Sequence, residues 1–198
     1  MRKQIEGIDI SHWNGITAIP DHAPQFVMMK LTEGCTYVDK QHLSHRVMAK
    51  HAGIPIGYYH FARAEKNDAY AEATHFVNNI PKEDFDTCVL ALDYEAKALS
   101  IKDVDTWAMR FLTRVETLTG KKPLLYCSQS VVKRFPRVAS AGYGLWVARY
   151  RNKLLGAGDI SPWKFCAMWQ YTSKPIDKNV FYGTVDQFKK YGERRKAE

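Results

Sequence analysis

The sequence predicts an α/β fold, in which a mainly parallel sheet closes into an irregular, TIM-like β/α barrel forming a single domain over residues 1–198. Two observations support this prediction. Short apolar runs typical of strands alternate with segments of helical periodicity, as in parallel sheets with crossover connections. Polar and aromatic residues recur where these runs end, and strand ends of one kind share a rim in a barrel. Because 198 residues cannot supply eight full β/α units, we expect helices to be missing from the later part.

The strands are predicted from apolar runs that are rich in β-branched and aromatic residues and are bounded by turn residues. Pro55 stands at the start of one run, where a missing N–H is tolerated. The predicted strands are Ile5–Ile10, Phe26–Leu31, Ile54–Phe61, Thr87–Tyr94, Pro123–Cys127, Leu145–Tyr150 and Phe165–Tyr171.

The helices are predicted from apolar spacing together with capping and stop residues. Gly53 and Gly120 follow two of these segments as C-terminal stops, and Asn67 precedes another as a candidate N-cap. The predicted helices are Lys40–Lys50, the segment from Asn67 to Asn79, Asp103–Thr119 and Thr184–Tyr191.

The composition, with 45% hydrophobic and 25% charged residues, is that of an ordinary globular domain. No apolar stretch approaches the roughly 20 residues of a membrane span, so we expect no membrane partner. The N-terminal segment carries basic residues but no apolar core, which argues against a Sec signal peptide. We therefore expect synthesis in a cytoplasm.

The cysteines and histidines do not show the spacing of a metal site. Cys35, Cys88, Cys127 and Cys166 are scattered without a C-x-x-C pair, and three of them lie in or beside predicted strands. This favours buried free thiols over disulfides or zinc. The 7 histidines lack the H-E-x-x-H spacing. We expect no metal and no cofactor.

The charge is unevenly distributed along the chain. Residues 121–198 contain 16 Lys and Arg against 5 Asp and Glu, whereas residues 1–120 contain 13 against 16. A basic surface suggests an anionic polymer as partner, either nucleic acid or an anionic cell wall, although a solvated basic face is the equally open alternative. No nucleic-acid-binding motif is present, so we expect no nucleic acid partner.

The tripeptide Asp93-Tyr94-Glu95 follows the apolar run Val89–Leu92, and its two carboxyl groups indicate a catalytic function. Residues two apart on a strand lie about 6.6 Å apart on the same face, so Asp93 and Glu95 should stand side by side. Their repulsion should keep one of them protonated, and a protonated acid beside an ionised one can cleave a glycosidic bond. Tyr94 points the other way and should pack. The alternative is a strand end whose acids merely face solvent.

Eight segments, in order along the chain, are similar to those of glycoside hydrolase family 25, the Chalaropsis-type muramidases. The details around Tyr37, His60–Arg63 and Ser173–Pro175 most resemble phage endolysin catalytic domains. The matching segments are Gly7–Ser11 with Trp13 and Gly15, Met29–Gly34, Gly57–Arg63, Leu92–Glu95, Pro123–Tyr126, Leu145–Ala148, Trp169–Tyr171 and Ile176–Asn179.

The resemblance implies hydrolysis of the β-1,4 bond between N-acetylmuramic acid and N-acetylglucosamine in peptidoglycan. It implies that Glu95 is the general acid and Asp93 its partner carboxylate, with Asp9 and Asp177 as further acids in the same groove. Whether Asp93 attacks carbon directly or orients the substrate's acetamido group stays open. Asp186 does not match and is expected to be a surface carboxylate.

The remaining groove residues are predicted from the resemblance and from their places at strand ends. Aromatic rings pack on the apolar faces of sugars, and polar groups bond their hydroxyls. Lys30 and Glu33 match groove positions, but a salt bridge between them is an equal alternative. The predicted substrate-binding residues are Lys30, Glu33, Tyr58, Phe61, Tyr126, Trp146, Gln170 and Tyr171.

We expect a monomer that acts on bacterial peptidoglycan and contacts anionic wall polymers through its basic C-terminal half. An endolysin without an export signal would be released by a holin, by lysis or by non-classical export. The alternative from another class is a non-catalytic cell-wall-binding module, which predicts loss of one or more of the four acids. A family 18 chitinase would need further aspartates where Val89 and Ala91 stand.

Overall fold

The computed structural model describes residues 3–15, 18–150 and 156–194. Strands and helices alternate along most of this length. The strands are β1 (Ile5–Ile10), β2 (Phe26–Glu33), β3 (Tyr37–Val38), β4 (Ile56–Phe61), β5 (Val89–Asp93), β6 (Leu124–Ser128), β7 (Leu145–Ala148), β8 (Met168–Thr172) and β9 (Lys178–Phe181). The α-helices are α1 (Ala18–His22), α2 (His42–His51), α3 (Ala69–Asn78), α4 (Val104–Thr119), α5 (Pro136–Ser140) and α6 (Val185–Tyr191).

Eight of these strands close a barrel in the order β1, β2, β4, β5, β6, β7, β8, β9 and back to β1. The pairs from β1 through β8 are parallel, whereas β9 is antiparallel to both β8 and β1. The two-residue strand β3 pairs with the end of β2 outside the ring. The predicted irregular β/α barrel is confirmed.

The closing strand β9 is absent from the prediction because it has only four residues and follows an acidic turn. Antiparallel neighbours can be joined by a short connection, whereas parallel strands need a long crossover. Residues 173–177 therefore suffice between β8 and β9, and no helix intervenes there. The predicted loss of helices in the later part is confirmed for the described residues, in which β6 and β7 are followed only by 3-10 turns and the short α5.

Side chains of the barrel strands alternate between two apolar cores. The inner core lies within the barrel, and the outer core lies between the barrel wall and the helices. On β5, for example, Val89 and Ala91 point inward while Leu90 and Leu92 point outward. This alternation decides which residues at the strand ends can reach a central cavity.

Helix ends follow the predicted cap chemistry, with one correction. Asp103 accepts a hydrogen bond from Thr106 N (3.0 Å) at the start of α4, and Gly120 ends that helix with φ of 70°. Asn67, however, does not cap α3. The N-cap is Asp68, while the Asn67 side chain donates to the buried Glu72 carboxylate at 2.8 Å.

Helix α6 closes the floor of the barrel, at the N-terminal ends of the parallel strands. Its Phe188 is buried in the inner core, with ring centroids 4.7 Å from Phe26 and 5.3 Å from Phe181. The four cysteines, all within the described residues, form no disulfide bond, and Cys88, Cys127 and Cys166 are buried, as predicted. None of the helices in the described ranges is long and apolar enough to cross a membrane.

A buried charge cluster centred on Asp84 joins α2 to the barrel wall. Asp84 is fully buried, forms ion pairs with Arg46 and Lys50, and accepts a hydrogen bond from Tyr58 Oη (2.7 Å). Burial alone would raise the pKa of Asp84, but the hydrogen bonds from Arg46, Lys50 and Tyr58 outweigh it and hold that pKa below its usual range.

We predict that Asp84→Asn lowers the free energy of unfolding by about 3 kcal/mol, because it leaves the largely buried Arg46 guanidinium facing a neutral partner. Urea unfolding followed by circular dichroism measures the change. Glu83→Gln is the matched control, since its side chain is 73% exposed and pairs with Arg46 at the surface, so its effect should stay within about 0.5 kcal/mol. Equal losses in the two variants would contradict a special role for the buried carboxylate.

Candidate active site

A cavity of about 280 Å³ opens at the end of the barrel where the parallel strands terminate. This is the end at which β/α barrels carry their binding and catalytic groups. Its lining is mainly acidic and aromatic. The lining residues are Asp9, Ser11, Trp13, Lys30, Tyr59, Phe61, Asp93, Glu95, Tyr126, Trp146, Tyr150, Gln170 and Asp177.

The four predicted acids come together in this cavity by three different routes. Asp9 and Asp93 occupy inward positions near the ends of β1 and β5. Glu95 follows in extended backbone (φ −146°, ψ −169°), which keeps it on the same side as Asp93. Asp177 directly precedes β9, whose antiparallel direction places its start at this rim, and its carbonyl accepts from Asp9 N at 3.2 Å.

Asp9 is fixed by two amide side chains. Its Oδ2 accepts hydrogen bonds from Gln170 Nε2 (2.8 Å) and Asn179 Nδ2 (2.7 Å). Gln170 Oε1 in turn accepts from Tyr126 Oη and Tyr150 Oη, each at 2.9 Å. Two hydroxyl donors on Oε1 require that the amide nitrogen faces Asp9.

A second support reaches Asp9 through Trp146. The Trp146 indole N–H donates to Asn179 Oδ1 at 2.8 Å, which turns the Asn179 amide nitrogen toward the carboxylate. Trp146 and Asn179 are both buried. Trp146, predicted as a groove aromatic, therefore lines the cavity and also orients an amide that holds Asp9.

Burial and mutual repulsion raise the pKa values of the two deepest carboxyls. Burial raises the pKa of Asp9 to about 7, with further contributions from the charges of Asp177 and Glu95, although the Asn179 and Gln170 amides oppose the shift. Burial, followed by the charges of Glu95 and Asp9, raises the pKa of Asp93 well above its usual range. Both groups therefore favour the neutral form more than an exposed aspartate does.

The two more exposed carboxyls are shifted in the same direction. Burial and the charge of Asp177 raise the pKa of Glu95, while Lys30 lowers it. Burial also raises the pKa of Asp177. The sequence predicted one retained proton and placed it on Glu95, whereas in the structure all four carboxyls are shifted because all four share one desolvated space.

Asp93 lines the cavity and has one carboxyl oxygen without a protein partner. Its Oδ1 is buried and has no hydrogen-bond partner in the described protein. A buried polar atom without a partner costs free energy, which is a further disadvantage of ionising this carboxyl in this cavity. Within the described part of the chain, no group of three or more His, Cys, Asp or Glu side chains is arranged to hold a metal ion.

Lys30 lines the cavity and also forms the salt bridge that the sequence left open as the alternative. Its Nζ lies 2.7 Å from Glu33 Oε2 and 4.7 Å from the centre of the Phe61 ring. Glu33 does not line the cavity. It bridges Lys30 to Arg63, whose Nη1 is 3.1 Å from Glu33 Oε1.

Two residues that were predicted to line the groove lie outside the cavity, because their positions on the strands point outward. Tyr58 points outward into the core beneath the helices and bonds Asp84. Tyr171 also points outward and lines a separate depression on the barrel wall with His22 and Lys178. Both predictions were wrong, because they rested on aromatic character alone and did not consider that alternate residues of a strand point to opposite faces.

Three cavity aromatics were missed by the sequence reasoning. Tyr59 lies opposite Lys30 in the register of β2 and β4, so parity alone would have identified it in place of Tyr58. Trp13 and Tyr150 lie beyond the ends of β1 and β7, where no periodicity predicts orientation. Tyr94 packs against outer-core rings, as predicted.

Trp13 is an exposed aromatic surface at the cavity mouth. Its side chain is 85% exposed, although its ring lies 4.5 Å from that of His12. His12 is itself fixed by Asp39, with Nδ1 to Oδ2 at 2.8 Å and a further bond from its backbone N–H. An indole that is held in place yet left in water can bind an apolar surface.

We predict that Asp9→Asn stabilises the protein at neutral and alkaline pH. A raised folded-state pKa means that the folded state holds its proton more tightly than the unfolded state, so this contribution falls as pH rises from about 4 toward 7. An asparagine does not ionise, so this loss of stability disappears, while its side-chain oxygen still accepts hydrogen bonds from Gln170 and Asn179. The gain at pH 8 relative to pH 4 should be on the order of 2–4 kcal/mol.

Urea unfolding of both proteins at pH 4, 6 and 8 measures this gain. Asp186→Asn, at an exposed position on α6, is the control and should track the unmodified protein. If the free energy of unfolding changed with pH in the same way for Asp9→Asn and the unmodified protein, the raised pKa of Asp9 would be contradicted.

Comparison with known proteins agrees with this geometry. The sequence model of "Glycosyl hydrolases family 25" matches residues 8–180. Lysozyme M1 of Streptomyces globisporus is 28% identical, over 91% of this chain and 69% of its own length. The lysozyme of Streptococcus phage Cp-1 is 31% identical, over 87% of this chain and 52% of its own.

A family GH25 lysozyme from Aspergillus fumigatus has a similar solved structure. It superposes with a TM-score of 0.80 at 26% identity, covering 96% of this chain and all of the fungal one. Family match, fold and cavity agree, and the chain belongs to glycoside hydrolase family 25.

Proposed function

We propose that this protein is a peptidoglycan muramidase that hydrolyses the β-1,4 bond between N-acetylmuramic acid and N-acetylglucosamine. The observation that carries the proposal is the gathering of Asp9, Asp93, Glu95 and Asp177 in one cavity, with the pKa of each raised. Glycoside hydrolysis uses a pair of carboxyl groups, of which one is protonated and the other is ionised. Lysozymes of bacterial, phage and fungal origin among the relatives support the same substrate class.

Glu95 is the proposed general acid. It is the more exposed of the Asp93 and Glu95 pair, so a glycosidic oxygen can reach it, and its raised pKa means that it keeps its proton to a higher pH than an exposed glutamate does. Donating this proton as the bond breaks avoids an unprotonated leaving oxygen. Positioned acid catalysis of this kind contributes about 10²–10⁴-fold to the rate.

The remaining carboxyls stabilise the positive charge that develops on the sugar ring. Once ionised, Asp93, Asp9 and Asp177 present negative charge in a desolvated space, where it acts strongly on an oxocarbenium-like ring. Asp93 lines the cavity, so its carboxyl group is placed to contact the substrate. This contact serves either direct attack on carbon or orientation of the substrate's acetamido group.

Exposed aromatic side chains flank the acids and fit a saccharide chain. Trp13 extends from the loop after β1, and Tyr150, which is 54% exposed, extends from the end of β7. Flat rings pack on the apolar faces of sugars. We propose that Trp13 forms a stacking surface for one sugar of the glycan, beside the linkage that Glu95 protonates.

A non-catalytic wall-binding module would have no need of this arrangement. Crowding four carboxyls in one desolvated cavity lowers stability near neutral pH, whereas sugar binding alone needs aromatic surfaces and neutral hydrogen-bonding groups. The muramidase proposal accounts for the retained acids. On the same grounds we propose that the protein works on the bacterial cell wall, as an endolysin does.

We predict that Glu95→Gln lowers the rate of wall clearing by at least about 100-fold while the protein stays folded, because the amide has no proton to donate. Turbidity loss of purified bacterial walls measures the rate. Glu6→Gln, an identical change at an exposed position on β1 outside the cavity, is the control and should clear walls normally.

Mass spectrometry of the digested wall completes this test. The products should carry new reducing ends on muramic acid, and new ends on glucosamine would instead show a glucosaminidase. Normal clearing by Glu95→Gln would remove Glu95 as the acid.

We predict that Trp13→Ala raises KM about tenfold and changes kcat much less, because stacking binds the substrate before and during the reaction alike. Trp13→Phe should recover part of the affinity by restoring a ring. Steady-state rates on soluble glycan fragments measure both constants, and thermal unfolding should be unchanged for a side chain that is 85% exposed. An unchanged KM in the alanine variant would exclude the stacking role.

A further inference from the structure

A basic surface is formed by two segments that follow barrel strands, and we call it the rim patch. Its members belong to the loop after β5 and to the 3-10 turn and helix α5 after β6, and both segments leave the barrel at the end that carries the acids. Four of the five are exposed, and Arg134 is half-buried. The rim patch consists of Lys97, Lys102, Lys133, Arg134 and Arg137.

Arg134 joins the two segments of the rim patch. Its Nη1 donates to the carbonyl of Leu99 at 2.9 Å, and its Nη2 donates to that of Ile101 at 3.3 Å. Lys97 lies two residues before the first acceptor, and Lys102 directly follows the second. Lys97, Lys102 and Arg134 are therefore carried by one connected piece of surface.

Arg137 extends the rim patch toward α4. Its backbone N–H donates to Asp105 Oδ2 at 2.9 Å, and its guanidinium donates to the Thr106 hydroxyl. Asp105 is buried and also accepts from the backbone N–H of Val138. These bonds fix α5 and the preceding turn against the start of α4, which begins two residues after Lys102.

The cations of the rim patch outnumber the acids of its two segments by five to two. The two acids are Asp103, whose charge interacts with Arg137, and the buried Asp105, and both accept hydrogen bonds from backbone N–H groups. Within the described ranges, Lys97, Lys102 and Lys133 form no ion pair. Their charges therefore face solvent and are available to a partner.

The rim patch is continuous with the catalytic cavity along the chain. Glu95 lines the cavity, and the loop carrying Lys97 begins at the next residue. A polymer attached to the glycan, or lying alongside it, would reach these cations while the glycan occupies the cavity. The position of the charge thus fits an anionic component of the substrate wall.

We propose that the rim patch binds a flexible phosphodiester polymer of the bacterial wall, of the glycerol phosphate type, and holds the enzyme beside the glycan that it cleaves. This deepens the proposed function and rests on it. Phosphate groups repeat along such a chain, and spaced lysines and arginines can bind several of them at once. The acidic cavity repels the phosphates of either polymer, but a flexible chain can turn away from it while its phosphates stay on the lysines, whereas a stiff nucleic acid duplex cannot bend in this way.

Two triple variants test the proposal with equal loss of charge. The patch variant is Lys97→Gln, Lys102→Gln and Lys133→Gln. The control is Lys164→Gln, Lys189→Gln and Lys190→Gln, at exposed positions at the opposite end of the barrel, before β8 and on α6. Affinity for purified polyglycerol phosphate is measured at several salt concentrations, with double-stranded DNA of equal charge as a competitor.

We expect the patch variant to bind polyglycerol phosphate at least about tenfold more weakly, with a reduced salt dependence, while the control stays within about twofold. Equal losses in both variants would show generic charge attraction and would overturn the proposal, as would no loss in either. Tighter binding of DNA through the same lysines would assign the patch to nucleic acid instead.

Digestion of peptidoglycan stripped of phosphodiester polymer separates this proposal from the proposed function. Both triple variants should digest stripped walls at the unmodified rate, because none of the six lysines lines the cavity. A patch variant that is slow on stripped walls would place these lysines in glycan binding and overturn the proposal. An unmodified protein that fails to digest any wall would instead refute the muramidase proposal, whatever the polymer binding shows.

Discussion

Confinement of four carboxyl groups in one small desolvated cavity is the constraint on which the rest of the site depends. Each of them would be more stable in water, and each raises the pKa of a neighbour or has its own raised. The surrounding residues limit this cost. Gln170 and Asn179 donate to Asp9, and Lys30 supplies positive charge to Asp93 and Glu95.

Because side chains alternate along each strand, polar and apolar residues of the barrel occupy different positions. Inward positions near the rim carry polar groups, and inward positions nearer the floor carry apolar ones such as Phe26 and Val89. Outward positions pack beneath the helices or form the Asp84 cluster. Polar chemistry and apolar packing thus occupy the same strands without competing, because the two kinds of residue lie at different depths or on different faces.

The sequence predicts the fold class and the positions of Asp9, Asp93 and Glu95, because long apolar runs determine parallel strands and strand ends determine the rim. Asp177 was identified only through family resemblance, since the four-residue β9 has no readable period. Tyr58 was chosen where parity selects Tyr59. Trp13 lies in a loop whose orientation depends on tertiary contacts, and the distribution of raised pKa values depends on burial, which no local pattern encodes.

The pairing of the last strand with the first has a consequence for biosynthesis. Ile5 pairs with Phe181, and the hydrogen bonds of Asp9 span 161 and 170 residues of sequence. Contacts of such separation form late in folding. A nascent chain that has not yet released β9 from the ribosome has an open sheet and an Asp9 that lacks the Asn179 donor, so the carboxyl cluster is completed only after β9 has emerged.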